Sequence, residues 1–396
     1  MSQSPAGVAA AGVVHPAAAN IQDLARLLGD SRKQPGPFRF ADEVNDLASD
    51  GVVSRRTVRK LGPRGPILAA ALSQSLPNAP AETGLIFLSA TFSLERTAEE
   101  CQSPRGGATF ALYGAADQAA ALLARELGLG GPVVALSSAC SGGAAAVTTA
   151  LQWREAGLCR DVLILACEFP FFEPYMASFE HIGVFSPSGK CRPFDLNRDG
   201  FVPTEAAATL LLTDLSLAAP ILGLTSDRPG VRGARSEEPM VVHAVIGASI
   251  GFVADSPWGP APDRFSRMLA DVLETAGASA VPQNPMWYVA HGTGTVPNDA
   301  AEAEIVAGLP TGTVVSGIKG LLGHAESAAA ILDLICSMIS AEKGECFPTF
   351  GCEESAFPGI AVLRQRAPLP RGHTVCASFG LGGYQGVVVT SHESLI

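Results

Sequence analysis

Short apolar, β-rich runs alternate with stretches of helical periodicity along most of this chain. The β-rich runs are Leu85–Ser89, Val133–Ser137, Val162–Cys167, Ala207–Thr213, Val241–Ser249, Trp287–Ala290, Val314–Ser316 and Val387–Thr390. Helical spacing appears at Ile21–Leu28, Ala115–Leu127, Ala144–Glu155, Arg264–Ala276 and Ser327–Glu342. Parallel strands cannot be joined by a tight turn, so each pair needs a crossover, and a helix supplies it. The alternation therefore predicts an α/β fold. Strand-like runs with no helix between them end each half.

The two halves rhyme. In the first, the strand Val133–Ser137 leads to Cys140 and then to a helix; in the second, Trp287–Ala290 leads to His291 and a helix through Ala300–Ala307. A duplicated unit facing itself across a central layer would set Cys140 and His291 at corresponding strand ends. Between them, Pro170–Gly200 is rich in aromatics, Pro and Gly and reads as a long excursion that builds a pocket or a subunit contact. Asp227–Pro239, rich in Pro, Gly and charge, reads as a surface connection.

Composition narrows the function classes. A net charge of −11 without a basic cluster argues against nucleic acid and anionic membranes as partners. No apolar run reaches the roughly 18 residues needed to span a bilayer. Met1–Ala19 is alanine-rich but lacks a basic segment ahead of an apolar core, so no signal peptide is expected. Nine cysteines are scattered without CxxC pairs, which suits reduced thiols in a cytoplasmic protein and opposes a zinc site.

Most free cysteines are inert small hydrophobes. Cys140, in "VVALSSACSGGAAAV", instead lies between a strand and the start of a helix, where the helix dipole is expected to lower a thiol's pKa. Ser141, Gly142 and Gly143 leave room for another backbone or a substrate. Two of the seven histidines stand in glycine-rich turns after strands, His291 in "YVAHGTGTVPND" and His324 in "SGIKGLLGHAESAAA". Each could equally be a turn histidine satisfied by carbonyls. Lys319 shares the second turn, either solvated or orienting the site. A Cys/His metal site lacks a fourth ligand at recognisable spacing, so no metal is expected.

Together these stretches resemble the β-ketoacyl synthase (ketosynthase) family of the thiolase-like fold. The matching motifs are "SSACSGGAAA", "CRPFDLNRDGFVPTEAA", "HGTGTVPNDAAEAE", "KGLLGHAESAAA" and "SFGLGGYQG", in the family's order, and "AAGVVHPAAANIQDLARLLGD" resembles its opening strand and first helix. The resemblance implies two pseudo-repeated α/β halves in an αβαβα layering. Residues 1–215 would carry the nucleophile and residues 216–396 the two histidines.

It also implies chemistry. Cys140 would accept an acyl group from a carrier-protein thioester, and a malonyl unit on a second carrier would lose carbon dioxide and attack it. His291 and His324 would stabilise the enolate, with Lys319 holding the electrostatics of His324. The amides of Cys140 and Phe379 would form the oxyanion hole, with Phe379 also gating the acyl site. Thr293 and Thr295 would bind the pantetheine arm or cap a turn. Asp299, Glu302 and Glu205 would brace loops, and Asp333 would stand near the lysine or be solvated. No resident cofactor is implied, because both substrates ride on carrier-protein phosphopantetheine. The implied partners are an acyl carrier protein and a second ketosynthase-like chain, identical or of the chain-length-factor type, with Ala108–Tyr113 and Phe169–Phe185 as candidate boundary.

The chain departs from the family's pattern at "TEAA" (Thr204–Ala207), where "GEGA" is usual, at Val296 for proline, at Leu381 for phenylalanine, and at Tyr384–Gln385 for Thr-Asn. These changes point to a reshaped pocket. The leading expectation is a discrete, decarboxylative type II ketosynthase, since one fold uses up the 396 residues. An acyltransferase, ester-forming or cyclising enzyme using Cys140 without decarboxylation is the alternative, and a non-catalytic chain-length or scaffold subunit is a third.

Overall fold

The computed structural model describes residues 6–30, 39–40, 51–78, 80–92, 94, 97, 115–222, 240–255, 259–276 and 284–395. The expected connection Asp227–Pro239 and the boundary segment Ala108–Tyr113 lie outside these residues.

Among the described residues, one sheet of eleven strands organises the fold. Its first half holds β1 (Ala6–Val14), β2 (Thr83–Leu88), β3 (Val133–Leu136), β4 (Asp161–Glu168) and β5 (Ala206–Asp214). The second holds β6 (Met240–Phe252), β7 (Trp287–Val289), β8 (Val314–Ser316), β10 (Ala361–Val362), β12 (Thr374–Gly380) and β13 (Tyr384–Leu395). Their order across the sheet is β10-β8-β7-β12-β13-β6-β1-β5-β4-β2-β3. A separate two-stranded sheet pairs β9 (Glu345–Cys346) with β11 (Ala367–Pro368). β2 runs parallel to β3 and β4, while β5 is antiparallel to β4 and β1. β7 likewise runs parallel to β8 and β12, while β13 is antiparallel to β12 and β6. The halves join where Ala6 and Gly7 pair with Val245 and Ala244.

This correspondence corrects one expectation. Cys140 follows β3, and the counterpart of β3 is β8, which leads into Lys319 and His324. His291 follows β7, whose counterpart is β2. The internal symmetry therefore relates Cys140 to the Lys319–His324 turn. The apparent rhyme with His291 comes from matching motifs without the strand order.

Side-chain alternation builds the layers. In β2, Ile86 and Leu88 enter a central core while Leu85 and Phe87 enter an outer one; in β4, Val162, Ile164 and Ala166 oppose Leu163, Leu165 and Cys167 in the same way. In the second half, Trp287 and Val289 face the central core, and Tyr288, Val375 and Val387 face another outer one. Strands covered on both faces read as continuous apolar runs, as the sequence shows. The helices Gly142–Glu155 and Ala329–Ala341 form the middle layer and touch strands of both halves. The second of these is buried at every position, which its nearly all-apolar sequence requires. Gly65–Ser73 and Ala116–Glu126 cover the first outer face, and Pro262–Thr275 covers the other. The expected αβαβα order is the observed one.

Periodicity missed β12, whose "TVCASFG" carries few β-branched residues although every one is buried. It also missed the helix Glu173–Ile182 inside the Pro170–Gly200 excursion, which has no fully buried residue to mark it.

Candidate active site

The C-terminal ends of parallel strands from both halves converge on one place. Cys140 sits in the turn between β3 and the helix Gly142–Glu155, His291 just past β7, and Lys319 and His324 past β8. The turn is tight, and Ala139 before the cysteine holds a φ of 47°. A side chain there costs roughly 1–3 kcal/mol, strain that surrounding contacts must hold. They do. Ser141 Oγ donates to the carbonyls of Ser378 and Tyr384 at 3.1 and 3.2 Å. A Cβ on Gly143 would lie 2.7 Å from Ala330 Cβ and 3.0 Å from Ile331 N. The room left by Gly143 is thus taken by the other central helix, and that left by Gly142 by Leu88, 2.6 Å from a Cβ there, rather than by substrate.

Cys140 Sγ and one nitrogen of each of His291 and His324 lie within 4.8 Å of one another. Among the described residues this trio is the one cluster with the spacing to hold a metal ion. The two imidazoles meet edge to face, centroids 5.1 Å apart. The Glu326 amide donates to His324 Nδ1 at 3.3 Å, which leaves the proton of the neutral ring on Nε2. His291 Nδ1 is buried without a partner. Burial and then the Lys319 charge hold both histidines well below their ordinary range, with His324 adding to the effect on His291. Both rings are neutral at pH 7.

The thiol departs from expectation. Burial pushes Cys140 well above the ordinary thiol range, and Glu326 and Glu168 add to it. Lys319 and a hydrogen bond from the Leu381 amide oppose this without reversing it. Desolvation therefore outweighs the helix terminus, and the resting group is the protonated thiol. The same contact corrects the oxyanion assignment. The amide that reaches the sulfur belongs to Leu381, just past β12, whereas Phe379 lies inside that strand opposite Gln385. The Phe379 ring does line the cavity, 5.9 Å from the His291 ring.

Supporting residues are now placed. Lys319 Nζ meets Asp333 Oδ2 at 3.2 Å with both side chains buried, so Asp333 is the lysine's partner and not a solvated helix position. Burial raises the Asp333 carboxyl to about 6 against the pull of Lys319. Glu302 accepts the His291 and Gly292 amides at 2.8 and 2.6 Å, and Asp299 accepts those of Phe194 and Gly294 at 2.7 and 3.2 Å. Glu205 stands apart from this loop, paired with Arg64 at 2.7 Å. Thr293 and Thr295 hydroxyls are 2.9 Å apart on the cavity wall.

A cavity of about 430 Å³ opens over Cys140, His291 and His324. The Pro170–Gly200 excursion supplies Phe179, Ile182, Val184 and Asp199 to its wall, and Gly200 and Phe201 continue it. Phe179 stacks on Phe185, Phe185 meets Phe201 edge to face, and Phe201 meets the His324 ring edge to face at 4.8 Å. Of the departures, Leu381 and Val296 line the cavity, while Thr204 bonds His15 at 2.9 Å behind the His324 turn. The two buried carboxyl groups that act on the Cys140 thiol, Glu168 and Glu326, escaped the sequence reading. The available signal was an acidic residue in an otherwise apolar motif, "HAESAAA".

Comparison with known proteins identifies the arrangement. The β-ketoacyl synthase N-terminal domain matches residues 76–218 and the C-terminal domain matches residues 245–353. The chain belongs to the β-ketoacyl synthase family. A phenolphthiocerol/phthiocerol polyketide synthase of Mycobacterium tuberculosis is 28% identical over 281 residues, 66% of this chain and 14% of the relative. A highly reducing polyketide synthase of a Nectria species is 23% identical over 373 residues, 88% of this chain and 15% of the relative. The chain thus spans about one seventh of the length of these curated relatives. Among solved structures, the ishigamide ketosynthase/chain length factor superposes with a TM-score of 0.80 at 21% identity, covering 98% of this chain and 99% of that one. A type II ketosynthase bound to its hexaketide and in complex with its acyl-carrier protein gives 0.75 at 19% identity, covering 98% and 99%. Both establish the ketosynthase fold. Among the described residues no helix is long and apolar enough to cross a membrane.

Proposed function

We propose that the protein is a decarboxylative β-ketoacyl synthase that carries its acyl group on Cys140. The observation that carries this reading is the meeting of one thiol and two neutral imidazoles within 4.8 Å at the base of a cavity. The Cys140 sulfur attacks the carbonyl of an acyl thioester on a carrier protein. A new C–S bond forms, the carrier's thiol leaves with the proton, and the amides of Cys140 and Leu381 receive the developing oxyanion. Because the thiol rests protonated, its proton must leave as the C–S bond forms, and the neutral histidines stand within reach.

A malonyl thioester then enters. Its C–CO₂ bond breaks, carbon dioxide departs, and the electron pair becomes an enolate whose oxygen takes hydrogen bonds from the imidazole N–H groups. His324 has its N–H on Nε2 for this purpose. The enolate carbon bonds to the acyl carbon, the C–S bond to Cys140 breaks with the sulfur taking up one proton from solvent to restore the thiol, and the product is a β-ketoacyl thioester two carbons longer. Burial, and then the Lys319 charge, disfavours imidazolium formation and so keeps the donors neutral. No resident cofactor enters these steps. We assign the substrates to carrier-protein pantetheine and the pathway to a type II polyketide or fatty acid system, working as a dimer. The structural kinship with a ketosynthase/chain length factor and with a carrier-protein complex supports that choice.

Incubation with acyl- and malonyl-loaded carrier protein tests it, with release of carbon dioxide and the longer product as the expected result. Acyl-Cys140 without elongation would replace the reading with acyl transfer alone. Labelling that survives Cys140→Ala would remove the nucleophile assignment itself.

A further inference from the structure

Glu326 lines the cavity together with Cys140 and is itself buried. Its backbone holds a φ of 45°, a conformation that only surrounding structure can impose on a side-chain-bearing residue. The Tyr175 hydroxyl donates to Glu326 Oε2, which fixes the carboxyl, while Oε1 is buried with no hydrogen-bond partner. Its neighbour Glu168 differs. One oxygen of Glu168 takes the Ala90 amide and the Ser327 hydroxyl, and the other takes the Thr91 hydroxyl. Buried polar atoms in folded proteins are almost always bonded, and an orphan on a substrate cavity marks where a ligand's polar atom belongs. The same cavity is lined by the apolar side chains of Phe179, Ile182, Val184 and Phe201 and by the polar ones of Asp199, Thr293, Thr295 and Asn298.

We propose that Glu326 is a specificity-determining residue: its Oε1 hydrogen-bonds a hydroxyl or keto oxygen near the thioester end of the acyl chain on Cys140, so that oxygenated chains load in preference to fully reduced ones. This rests on the reading of Cys140 as the acyl carrier. Glu326 follows His324 by two residues, its amide donates to His324 Nδ1, and it shares the cavity wall with Cys140, so its carboxyl stands at the thioester end of the chain. Burial raises this carboxyl above the ordinary carboxylate range, so its protonated form is more accessible than that of an exposed glutamate. The protonated form donates to a keto oxygen, and the ionised form accepts from a hydroxyl.

The test is the rate at which octanoyl, 3-hydroxyoctanoyl and 3-oxooctanoyl pantetheine thioesters acylate the full chain, read by intact mass. The wild type is expected to load at least one 3-oxygenated chain about tenfold faster than octanoyl, the worth of one hydrogen bond to a charged or buried group. Which of the two is favoured identifies the oxygen function. Glu326→Leu is expected to bring that ratio close to one, and Glu326→Gln to retain part of it. A purely structural role would slow all three probes together and leave the ratio unchanged, which overturns the proposal. A wild-type ratio of one overturns it without any variant. If none of the probes acylates Cys140 in the wild type, the nucleophile reading falls, and this inference falls with it.

Discussion

The Lys319 ammonium stands 3.2 Å from the Asp333 carboxylate, both side chains buried, and so ties the turn after β8 to the central helix Ala329–Ala341. Coulomb attraction between them offsets the desolvation of each, and neither is stable there alone. Asp333→Asn leaves an unpaired buried ammonium and is expected to cost about 3–5 kcal/mol in urea unfolding. The double change Lys319→Met with Asp333→Leu should recover most of that loss while leaving condensation impaired. A single variant as stable as wild type would remove the pair from this role.

Gly380 ends β12 against the nucleophile turn, where a Cβ would lie 3.0 Å from Ala139 Cβ and 3.2 Å from Cys140 N. Gly380→Ala is expected to displace the Cys140 amide by a few tenths of an ångström. Misplacing reacting groups by about 1 Å costs about a hundredfold, so Cys140 acylation should fall by about tenfold. The change in melting temperature should be small by comparison. Unaltered acylation kinetics would show that the turn absorbs the methyl group.

Glu302 holds the His291 loop by both oxygens: Oε1 accepts the His291 amide and the Tyr288 hydroxyl, and Oε2 accepts the Gly292 amide and the Asn298 side chain. Glu302→Gln turns one acceptor into a donor facing donors. It is expected to lose about 1–3 kcal/mol, the price of an unsatisfied buried group. Decarboxylation of malonyl thioester, the step in which we propose a role for His291, should slow further than stability alone explains. Equal losses in both measurements would make Glu302 a packing residue only.

His15 supplies a pH test outside the Cys140–His291–His324 trio. Its Nε2 donates to the Leu322 carbonyl at 2.9 Å and its Nδ1 accepts the Ala17 amide at 3.0 Å, so protonation of Nδ1 would break the second bond. Burial lowers its pKa from 6.5 to about 4 in the folded protein. Between these values the unfolded chain binds more protons, so stability is complete above pH 6.5 and is lost as pH falls through the window. The slope is at most ~1.4 kcal/mol per pH unit. Unfolding free energies of wild type and His15→Gln should converge as pH drops from 6.5 to about 4. Parallel curves would refute the assignment.

By itself the sequence determined the α/β class, most strands of the sheet, and the candidates Cys140, His291, His324 and Lys319. Each of these is local information: a strand's apolar run or a glycine-rich turn lies within about a dozen residues. Strand order lies beyond it, so motif matching alone pairs Cys140 with His291 although β3 corresponds to β8. The thiol's direction of shift was decided only by the tertiary structure, because desolvation depends on everything packed around the sulfur and reverses what the helix terminus alone would give. The same holds for Asp333, whose burial selects the lysine over solvent, and for the choice of Leu381 over Phe379 as amide donor. Glu168 and Ser327 are 159 residues apart, and it is the packing of the central layer that brings them, Glu326 and Cys140 together.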